Sequence, residues 1–474
     1  MDKRGTRGLA ALVCAAGMLP ALALGGPAQA APVTCWGEAA TIVSDDEQVR
    51  GTPGDDVIVT TRPAAEVASR AGDDTICVRG RRGVAFVDPG RGDDRVRIEA
   101  RKVAFTDLRQ GSDTYVGGPG RDEVLSGLPR GQRNDDRIRL GAGDDHLLLG
   151  GAGSSRRAAL SAGTGDDTLT IGAGRGAVLV DAAAERATYR GRAHATWNGF
   201  ESHVVAGARV LFRGTEGEDD VTLAGNAVSA DLLAGDDTVT VLASASGNLR
   251  ARLSDSTTGP DALDGALSRF LSRHLPARRG TGGAAVRART AYDLDPGDGH
   301  DQLRVLSDAV GVTGSLVTDR VVLTDVSGAR AEVPATGFEG LASRTVFIDG
   351  ETTAELEGDE LDNTLEANAC RVVLRGGPGD DRLRVGSEAT DESFILTVLG
   401  QDCARTSEVH GDAGDDTLVS RLLVPTFRSV VHESDAHREV RVRDLLDGGE
   451  GTDSADAGLG NDTCVAEVRV ACEQ

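Results

Sequence analysis

The sequence has 474 residues and a formal net charge of −24 at pH 7, with 75 acidic residues against 51 lysines and arginines. Aromatic residues make up 3% of the chain and 63 residues are glycine, which excludes a large globular core and favours a thin, repetitive one. The negative charge excludes nucleic acid and anionic lipid as partners, because both would be repelled.

The first thirty residues have the pattern of a secretory signal peptide. Basic residues precede an apolar run from Leu9 to Leu24, and Ala28-Gln29-Ala30 is a typical cleavage site. We therefore predict a secreted, extracellular protein that is cleaved before Ala31 and has no membrane span after cleavage. The leader contains three basic residues and one acidic residue, so its removal would change the net charge from −24 to −26.

The cysteines fit an exported protein that is held together by disulfides. Without Cys14 of the leader an even number remains, which predicts disulfide bonds. Several pairings are possible, and proximity in sequence favours three: Cys35 with Cys77, Cys370 with Cys403, and Cys464 with Cys472. The sequence has no C-x-x-C pair, which argues against a zinc site.

Short acidic, glycine-rich stretches recur along the chain, and Gly376–Arg384, reading GGPGDDRLR, matches a known pattern at every defined place. Glycine stands at the first, second and fourth places, aspartate at the sixth and an apolar residue at the eighth, as in the calcium-binding nonapeptide G-G-x-G-x-D-x-U-x. Glycine permits a tight turn, which would aim backbone carbonyls and the sixth-place carboxylate at a common point. Such hard oxygen ligands suit Ca²⁺. The predicted metal ligands are Asp56, Asp74, Asp94, Asp113, Asp122, Asp136, Asp145, Asp167, Asp219, Asp237, Asp301, Asp381, Asp416, Asp453 and Asp462.

Residues 31–250 predict an N-terminal solenoid in which one coil contains two strands. The first fourth-place glycines lie 18, 20 and 19 residues apart, at Gly54, Gly72, Gly92 and Gly111. Each interval contains two short β-rich runs, such as Thr75–Val78 and Val84–Val87. Loops on one edge should therefore follow each other at the spacing of one coil, with Asp56 and Asp74, and Asp219 and Asp237, as the best-spaced pairs. Around Asp113 and Asp122 the spacing halves, which predicts loops on both edges.

Residues 251–290 interrupt the repeats. Pro260 and Pro276 bracket an apolar stripe at helical spacing, and a glycine-rich stretch follows, which predicts a short amphipathic helical insertion with a linker. A helix that packs on the solenoid and a helix that binds a partner remain alternatives.

Residues 291–474 predict a C-terminal solenoid with a terminal cap. The corner Gly199-Phe200-Glu201 and its neighbouring segments reappear around Gly337-Phe338-Glu339, which predicts a duplicated solenoid module with both phenylalanines in the core at a bend. The last repeats, closed by the predicted bridge from Cys464 to Cys472, would protect the final strand edge.

These motifs resemble the hemolysin-type calcium-binding repeat family, also called RTX, and in particular its secreted actinobacterial-type members. The resemblance implies a parallel β-roll in which each nonapeptide forms one loop and one short strand, with Ca²⁺ between successive loops along one edge. The predicted fold class is therefore all-β, a parallel β-roll or β-solenoid with a short helical insertion. The motif is specific for the calcium loop and says little about biological role.

The sequence contains no recognisable catalytic constellation. His432-Glu433 and His437 approach a zincin motif, but the histidines are five residues apart, and H-E-x-x-H requires a spacing that puts both on one helical face. We therefore expect no enzymatic activity and a structural or adhesive role, with calcium ions and cell-surface or matrix glycans as partners. The alternative is a parallel β-helix polysaccharide lyase or hydrolase, against which the low aromatic content argues.

Overall fold

The structure is a computed structural model that contains β-strands and no helix among the residues it describes. The predicted leader, the helical insertion at 251–290, Cys403 and the histidines of the zincin-like segment lie outside them. The described residues are 32–62, 65–99, 101–127, 135–150, 159–245, 291–345, 351–386, 405–420, 442–457 and 462–472.

The strands are mostly short, as expected for β-rich runs between glycine turns. Their bounds are β1 Thr34–Cys35, β2 Glu38–Ala39, β3 Ile42–Ser44, β4 Gln48–Arg50, β5 Val57–Thr60, β6 Ala65–Ala68, β7 Thr75–Val78, β8 Val84–Asp88, β9 Arg95–Ile98, β10 Val103–Asp107, β11 Thr114–Val116, β12 Arg121–Ser126, β13 Arg137–Ala142, β14 His146–Gly150, β15 Ala159–Thr164, β16 Thr168–Asp181, β17 Arg186–Tyr189, β18 Arg192–Asn198, β19 Ser202–Arg213, β20 Asp220–Asp231, β21 Thr238–Ala243, β22 Ala291–Asp295, β23 Gln302–Ser307, β24 Gly311–Ser315, β25 Arg320–Thr324, β26 Arg330–Pro334, β27 Gly340–Thr345, β28 Thr353–Glu357, β29 Thr364–Asn368, β30 Arg371–Pro378, β31 Arg382–Val385, β32 Arg405–Ala413, β33 Thr417–Ser420, β34 Val442–Asp447, β35 Ser454–Asp456, β36 Thr463–Val465 and β37 Val468–Val470.

The chain alternates between two parallel sheets whose inward side chains share one core. Sheet A contains β3, β5, β7, β9, β11, β13, β15 and β18, then the second halves of β16, β19 and β20 with β22, and later β24, β28, β30, β32, β34 and β36. Sheet B contains β4, β6, β8, β10, β12 and β14, the first halves of β16, β19 and β20, and then β21, β23, β27, β29, β31, β33, β35 and β37. The predicted all-β solenoid with two strands per coil is therefore confirmed.

Equivalent positions of successive coils stack directly on each other in the core. Ile58 pairs with Ile76, and Ile76 pairs with Val96, all three with no exposed surface. Alternate residues of each strand point inward, so every coil contributes only a few aliphatic side chains. Burial of each contributes about 1.5–3 kcal/mol, and the repeat of this small core along the axis replaces a globular interior.

Two antiparallel meanders interrupt the regular coils at related places. The second half of β16, β17 and β18 form one, and β24, β25 and β26 form the other. Each is followed by a glycine-phenylalanine-glutamate corner, in which Phe200 is 8% exposed and Phe338 is 4% exposed. The shared meander and corner support the predicted duplication, and both phenylalanines lie in the core as predicted.

The pairing of the sheets continues across the interruption of the repeats. Thr238 of β21 pairs with Gln302 of β23, and Ala227 of β20 pairs with Ala291 of β22. β22 therefore pairs in parallel with β20 in sheet A, and β23 pairs in parallel with β21 in sheet B.

Disulfides close both ends of the described solenoid. Cys35 is bonded to Cys77 with 5.7 Å between their Cα atoms, and Cys464 to Cys472 with 5.9 Å, so both of these predicted pairings are confirmed. Cys370 is also disulfide-bonded, while its predicted partner lies outside the described residues.

Candidate metal centre

The sixth-place aspartates lie along the two edges of the solenoid where the chain changes sheets. We call the edge where it passes from sheet B to sheet A the BA edge, and the opposite one the AB edge. The BA edge carries Asp56, Asp74, Asp94, Asp113 and Asp136, and near the C-terminus Asp462. The AB edge carries Asp122, Asp145, Asp167, Asp219, Asp237, Asp301, Asp381, Asp416 and Asp453. The predicted overlap of loops on both edges around Asp113 and Asp122 is confirmed.

Hydrogen bonds join these aspartates into runs along each edge. Within a run, the backbone N–H of a sixth-place residue donates to Oδ1 of the sixth-place residue in the next coil. On the BA edge, Asp56 donates to Asp74 and Asp74 donates to Asp94, both at 2.8 Å. On the AB edge, Asp237 donates to Asp301 at 2.8 Å although 64 residues separate them. One carboxylate oxygen therefore fixes the register of each pair of coils.

Fifth-place aspartates connect the same loops in the opposite direction. Asp55 Oδ1 accepts from the N–H of Asp73, and Asp73 Oδ1 accepts from the N–H of Asp93, both at 2.8 Å. These carboxylates are exposed, whereas the sixth-place aspartates are buried. These two pairs of neighbouring loops are thus each joined by one buried and one exposed carboxylate.

The second oxygen of the buried carboxylate has no hydrogen-bond partner in eight of the loops. A carboxylate oxygen that loses water without gaining a partner is costly, so this atom requires either a proton or a cation. The eight residues are Asp74, Asp94, Asp145, Asp167, Asp237, Asp301, Asp381 and Asp416.

The pKa values of these carboxyls reflect that cost. Burial, followed by the charges of Asp74 and other neighbouring aspartates, raises the pKa of Asp94 to about 8 against the opposing hydrogen bond from Asp74 N–H. Burial likewise raises the pKa of Asp145 to about 8 and that of Asp381 to about 7. Burial, and then the charge of Asp136, also raises the pKa of Asp113. A chain without bound cation therefore holds protons on these edges at neutral pH.

The first loop of a run differs from the loops that follow it in how its carboxylate is bonded. The second oxygens of Asp56 and Asp219 accept from the second-place N–H groups of their own loops, Thr52 at 2.6 Å and Thr215 at 2.7 Å. Asp122 does the same with Gly118 at 3.0 Å. Oδ2 of each of these three carboxylates already accepts a hydrogen bond from its own loop, so they are weaker candidates for the metal than the eight above.

Three glutamates end the runs on the AB edge, and the sequence pattern did not reveal them. Oε2 of Glu201 accepts from the N–H of Asp167, and Oε2 of Glu339 from that of Asp301, both at 2.8 Å. Glu467 accepts from Asp453 at 2.8 Å in the same way. The signal for Glu201 and Glu339 is the repeated Gly-Phe-Glu corner, which predicts a place in the core for its phenylalanine but no role for its glutamate.

Further residues of the edges also escaped the nonapeptide pattern. Asp444 on the BA edge donates its N–H to Asp462 at 3.0 Å and accepts from Ser420 Oγ at 2.6 Å. Asp136, which was predicted, accepts from Ser126 Oγ at 2.6 Å. The second oxygen of each of these two carboxylates thus accepts a hydrogen bond from a serine hydroxyl.

Glycine is required where loops and carboxylates approach closely. A Cβ atom on first-place Gly376 would lie 2.1 Å from Oδ2 of Asp381. Fourth-place Gly414 has φ of +144°, and a Cβ there would lie 1.9 Å from the carbonyl oxygen of Gly379 in the previous coil. The first glycine makes room for the carboxylate and the fourth allows the loops to stack.

The donor set of the loops fits Ca²⁺. Within the described residues, no three or more His, Cys, Asp or Glu side chains converge on a point that suits a metal ion, so any site would combine one or two carboxylates with backbone carbonyls. Oxygen ligands of this mixed type are those that Ca²⁺ accepts, and zinc would require nitrogen or sulfur. The residues that would hold the ion are the eight with an unpartnered Oδ2.

Comparison with known proteins agrees with this chemistry. The sequence model of the RTX calcium-binding nonapeptide repeat matches the chain in four copies, over residues 130–154, 357–389 and 443–464. No curated protein matches the chain. The loops of Asp56, Asp74 and Asp94 lie outside the matched ranges but share the same N–H to Oδ1 hydrogen bonds. Nor does the described part of the chain contain an apolar helix of membrane-spanning length.

Proposed function

Because the chain carries RTX calcium-binding nonapeptide repeats, we propose that it is a secreted, non-enzymatic β-solenoid in which Ca²⁺ binding stabilises the folded state. Its role would be structural or adhesive. The observation that carries the proposal is the row of eight buried aspartate oxygens without a hydrogen-bond partner. Bound Ca²⁺ would neutralise the carboxylates and supply the missing partner.

The physical link between binding and folding lies in the edges. The carboxylates come together only when the coils stack, since the Oδ1 of each is fixed by the N–H of the previous coil. Without a cation, stacking therefore buries acidic groups beside each other, which opposes folding. A ligand that binds only the folded state adds its binding free energy to stability, about 2.7 kcal/mol per site at a hundredfold excess over its Kd.

Disulfides at both ends and the predicted leader support an extracellular setting. Disulfides persist in oxidising compartments, and calcium is scarce in the cytosol and abundant outside. We expect the chain to be loosely folded before export and firmly folded after it.

The test is a calcium titration of the purified chain after removal of metal with a chelator. We expect circular dichroism to show a gain in β signal, calorimetry to show several ions bound per chain, and the melting temperature to rise by tens of degrees. Magnesium is the control, because it requires stricter octahedral geometry and gives up water reluctantly. A chain that is equally folded and equally stable in chelator would show that the loops are turns without a metal.

A further inference from the structure

The outer face of sheet B carries a groove of about 500 Å³ that the calcium loops do not use. Its lining comes from β20, β21, β23, β27, β29, β31 and β33. We infer that this groove binds a linear acidic polysaccharide of the uronate type, an inference that specifies the adhesive role in the proposed function.

The groove exists because β27 has small residues on its outer face. Gly340 lies between Gln302 and Thr364, and Ala342 lies between Arg304 and Glu366 in the register of the sheet. The neighbouring strands carry longer side chains on both sides of β27. Because these side chains cover it, Ala342 is only 8% exposed although it points away from the core. Gly340 and Ala342 therefore lower the middle of the outer face between the longer side chains of β23 and β29, and the groove crosses the strands through this low point.

The lining is basic on a strongly acidic protein. Arg304, Arg344, Arg382 and Arg384 contribute four positive charges, and Asp220 and Glu366 contribute two negative charges. The lining therefore has a surplus of positive charge, while the chain as a whole carries −24. A concave surface focuses such a field and attracts anions to it, and guanidinium groups bind carboxylates through paired hydrogen bonds.

Contacts within the lining hold two of its arginines, Arg304 and Arg344, in place before a ligand arrives. Arg304 donates from Nε to Oε1 of Gln302 at 2.7 Å. Arg344 forms an ion pair with Glu366 at 3.8 Å, and only 16% and 22% of these two side chains are exposed. Less freedom is then lost on binding, which favours affinity.

The shape of the groove selects a linear ligand. Seven adjacent strands of sheet B contribute to it, and strands in a sheet are about 4.8 Å apart, so it extends roughly 29 Å along the solenoid axis. This length suits several sugar units in an extended chain and exceeds the needs of a compact metabolite.

The chemistry of the lining favours a polysaccharide over a nucleic acid. Thr238, Thr364 and Thr417 line the same side as Gln302, and hydroxyl and amide groups suit a ligand rich in hydroxyls. Asp220 and Glu366 can accept hydrogen bonds from sugar hydroxyls but would repel a dense row of phosphates.

The experiment measures binding of a labelled oligogalacturonate that is long enough to cover a groove of roughly 29 Å to the full chain in calcium. The test variant is Arg382→Gln with Arg384→Gln, and the matched control is Arg137→Gln with Arg139→Gln. The two arginines of each pair lie two residues apart on a single strand, β31 for the test pair and β13 for the control pair. Both variants remove the same charge, but the control pair lies on the outer face of sheet A. We expect the test variant to bind roughly tenfold more weakly, because two charge-assisted contacts are lost, and the control to bind like the wild type.

The outcomes separate the groove from the calcium edges. Equal binding by the test and control variants would overturn the groove as the site. Equal binding of a neutral dextran fragment, or tighter binding of a single-stranded oligonucleotide, would overturn the ligand class. Circular dichroism in calcium and in chelator is recorded on all three proteins, so that a failure of calcium-dependent folding is distinguished from a failure of glycan binding.

Discussion

Replacement of Asp94 by asparagine should change stability in opposite directions with and without calcium. Asp94 accepts the N–H of Asp74 through Oδ1 at 2.8 Å, and its Oδ2 is buried without a partner. Asparagine keeps the accepting oxygen and resembles the protonated carboxyl in size. It lacks the negative charge that a calcium ion would require.

The magnitude follows from the raised pKa of Asp94. Burial raises that pKa from 3.8 to about 8, so at pH 7 the folded chain without calcium holds a proton that the unfolded chain releases. The interval between the ordinary pKa of 3.8, which applies to the unfolded chain, and the assay pH of 7 corresponds to about 4 kcal/mol of destabilisation of the folded state. The loop lies at the edge of the solenoid, where solvent screening reduces this to about 2 kcal/mol. The Asp94→Asn variant escapes this cost, so in chelator it should be more stable than the wild type by about that amount.

The assay is denaturant unfolding at pH 7, in chelator and in saturating calcium, with the change in midpoint converted through the slope. At a hundredfold excess of calcium over its Kd, the variant loses about 2.7 kcal/mol of binding free energy from one site. This loss exceeds the gain of about 2 kcal/mol seen in chelator, so in calcium the variant should be less stable than the wild type by slightly under about 1 kcal/mol. The control is Asp93→Asn, a neighbouring exposed carboxylate whose Oδ1 accepts from Ser112 at 2.8 Å; it should have little effect in either condition. If Asp94→Asn destabilises the chain equally in chelator and in calcium, the reasoning is refuted.

Three further predictions address the edges. In chelator, the melting temperature should fall as pH rises from 4 to 8, because carboxyls with pKa values raised to about 6 and about 8, such as Asp167 and Asp94, bind protons more tightly in the folded chain; calcium should reverse this trend, and a pH-independent melting curve in chelator would contradict it. Glu339→Ala should lower stability by about 1–3 kcal/mol, since the buried N–H of Asp301 loses its acceptor, and Glu339→Gln should restore most of this in the same denaturant assay. Gly414→Ala should cost several kcal/mol, on the order of the larger single-site effects, whereas Gly54→Ala should be tolerated because its Cβ would lie 4.0 Å from the nearest atom; equal melting temperatures for these two variants would contradict the close stacking of the loops.

The spacing of the repeats predicted the stacking well where coils have a constant length. Asp56 with Asp74 and Asp219 with Asp237 are neighbours as expected, at 2.8 and 2.7 Å, because a spacing of two nonapeptides returns the chain to the same edge. Their binding of calcium remains a prediction. The pair Asp237 and Asp301 could not be found in this way, since the intervening segment has no fixed length per coil.

The ends of the runs were harder to predict because they break the pattern. A glutamate such as Glu201 reaches the same N–H as an aspartate would, but from a corner without the loop glycines, and periodicity alone does not mark it. Two of the loops that begin runs, Gly51-Thr52 and Gly214-Thr215, have threonine at the second place. The loop of Asp122 has Gly118 there, and in all three loops the donor is the second-place backbone N–H, so the residue type at this place does not mark the start of a run.

The direction of the hydrogen bonds between loops determines which changes in length the solenoid tolerates. Within a run, each buried N–H donates to a carboxylate that lies one coil later in the chain, and on the AB edge of the described residues Glu201, Glu339 and Glu467 complete runs without a further calcium loop. A deletion that ends inside a run therefore leaves a donor without its acceptor. One that removes a whole run, such as the coils from Asp219 to Glu339, leaves none, so such solenoids should grow or shrink by complete runs.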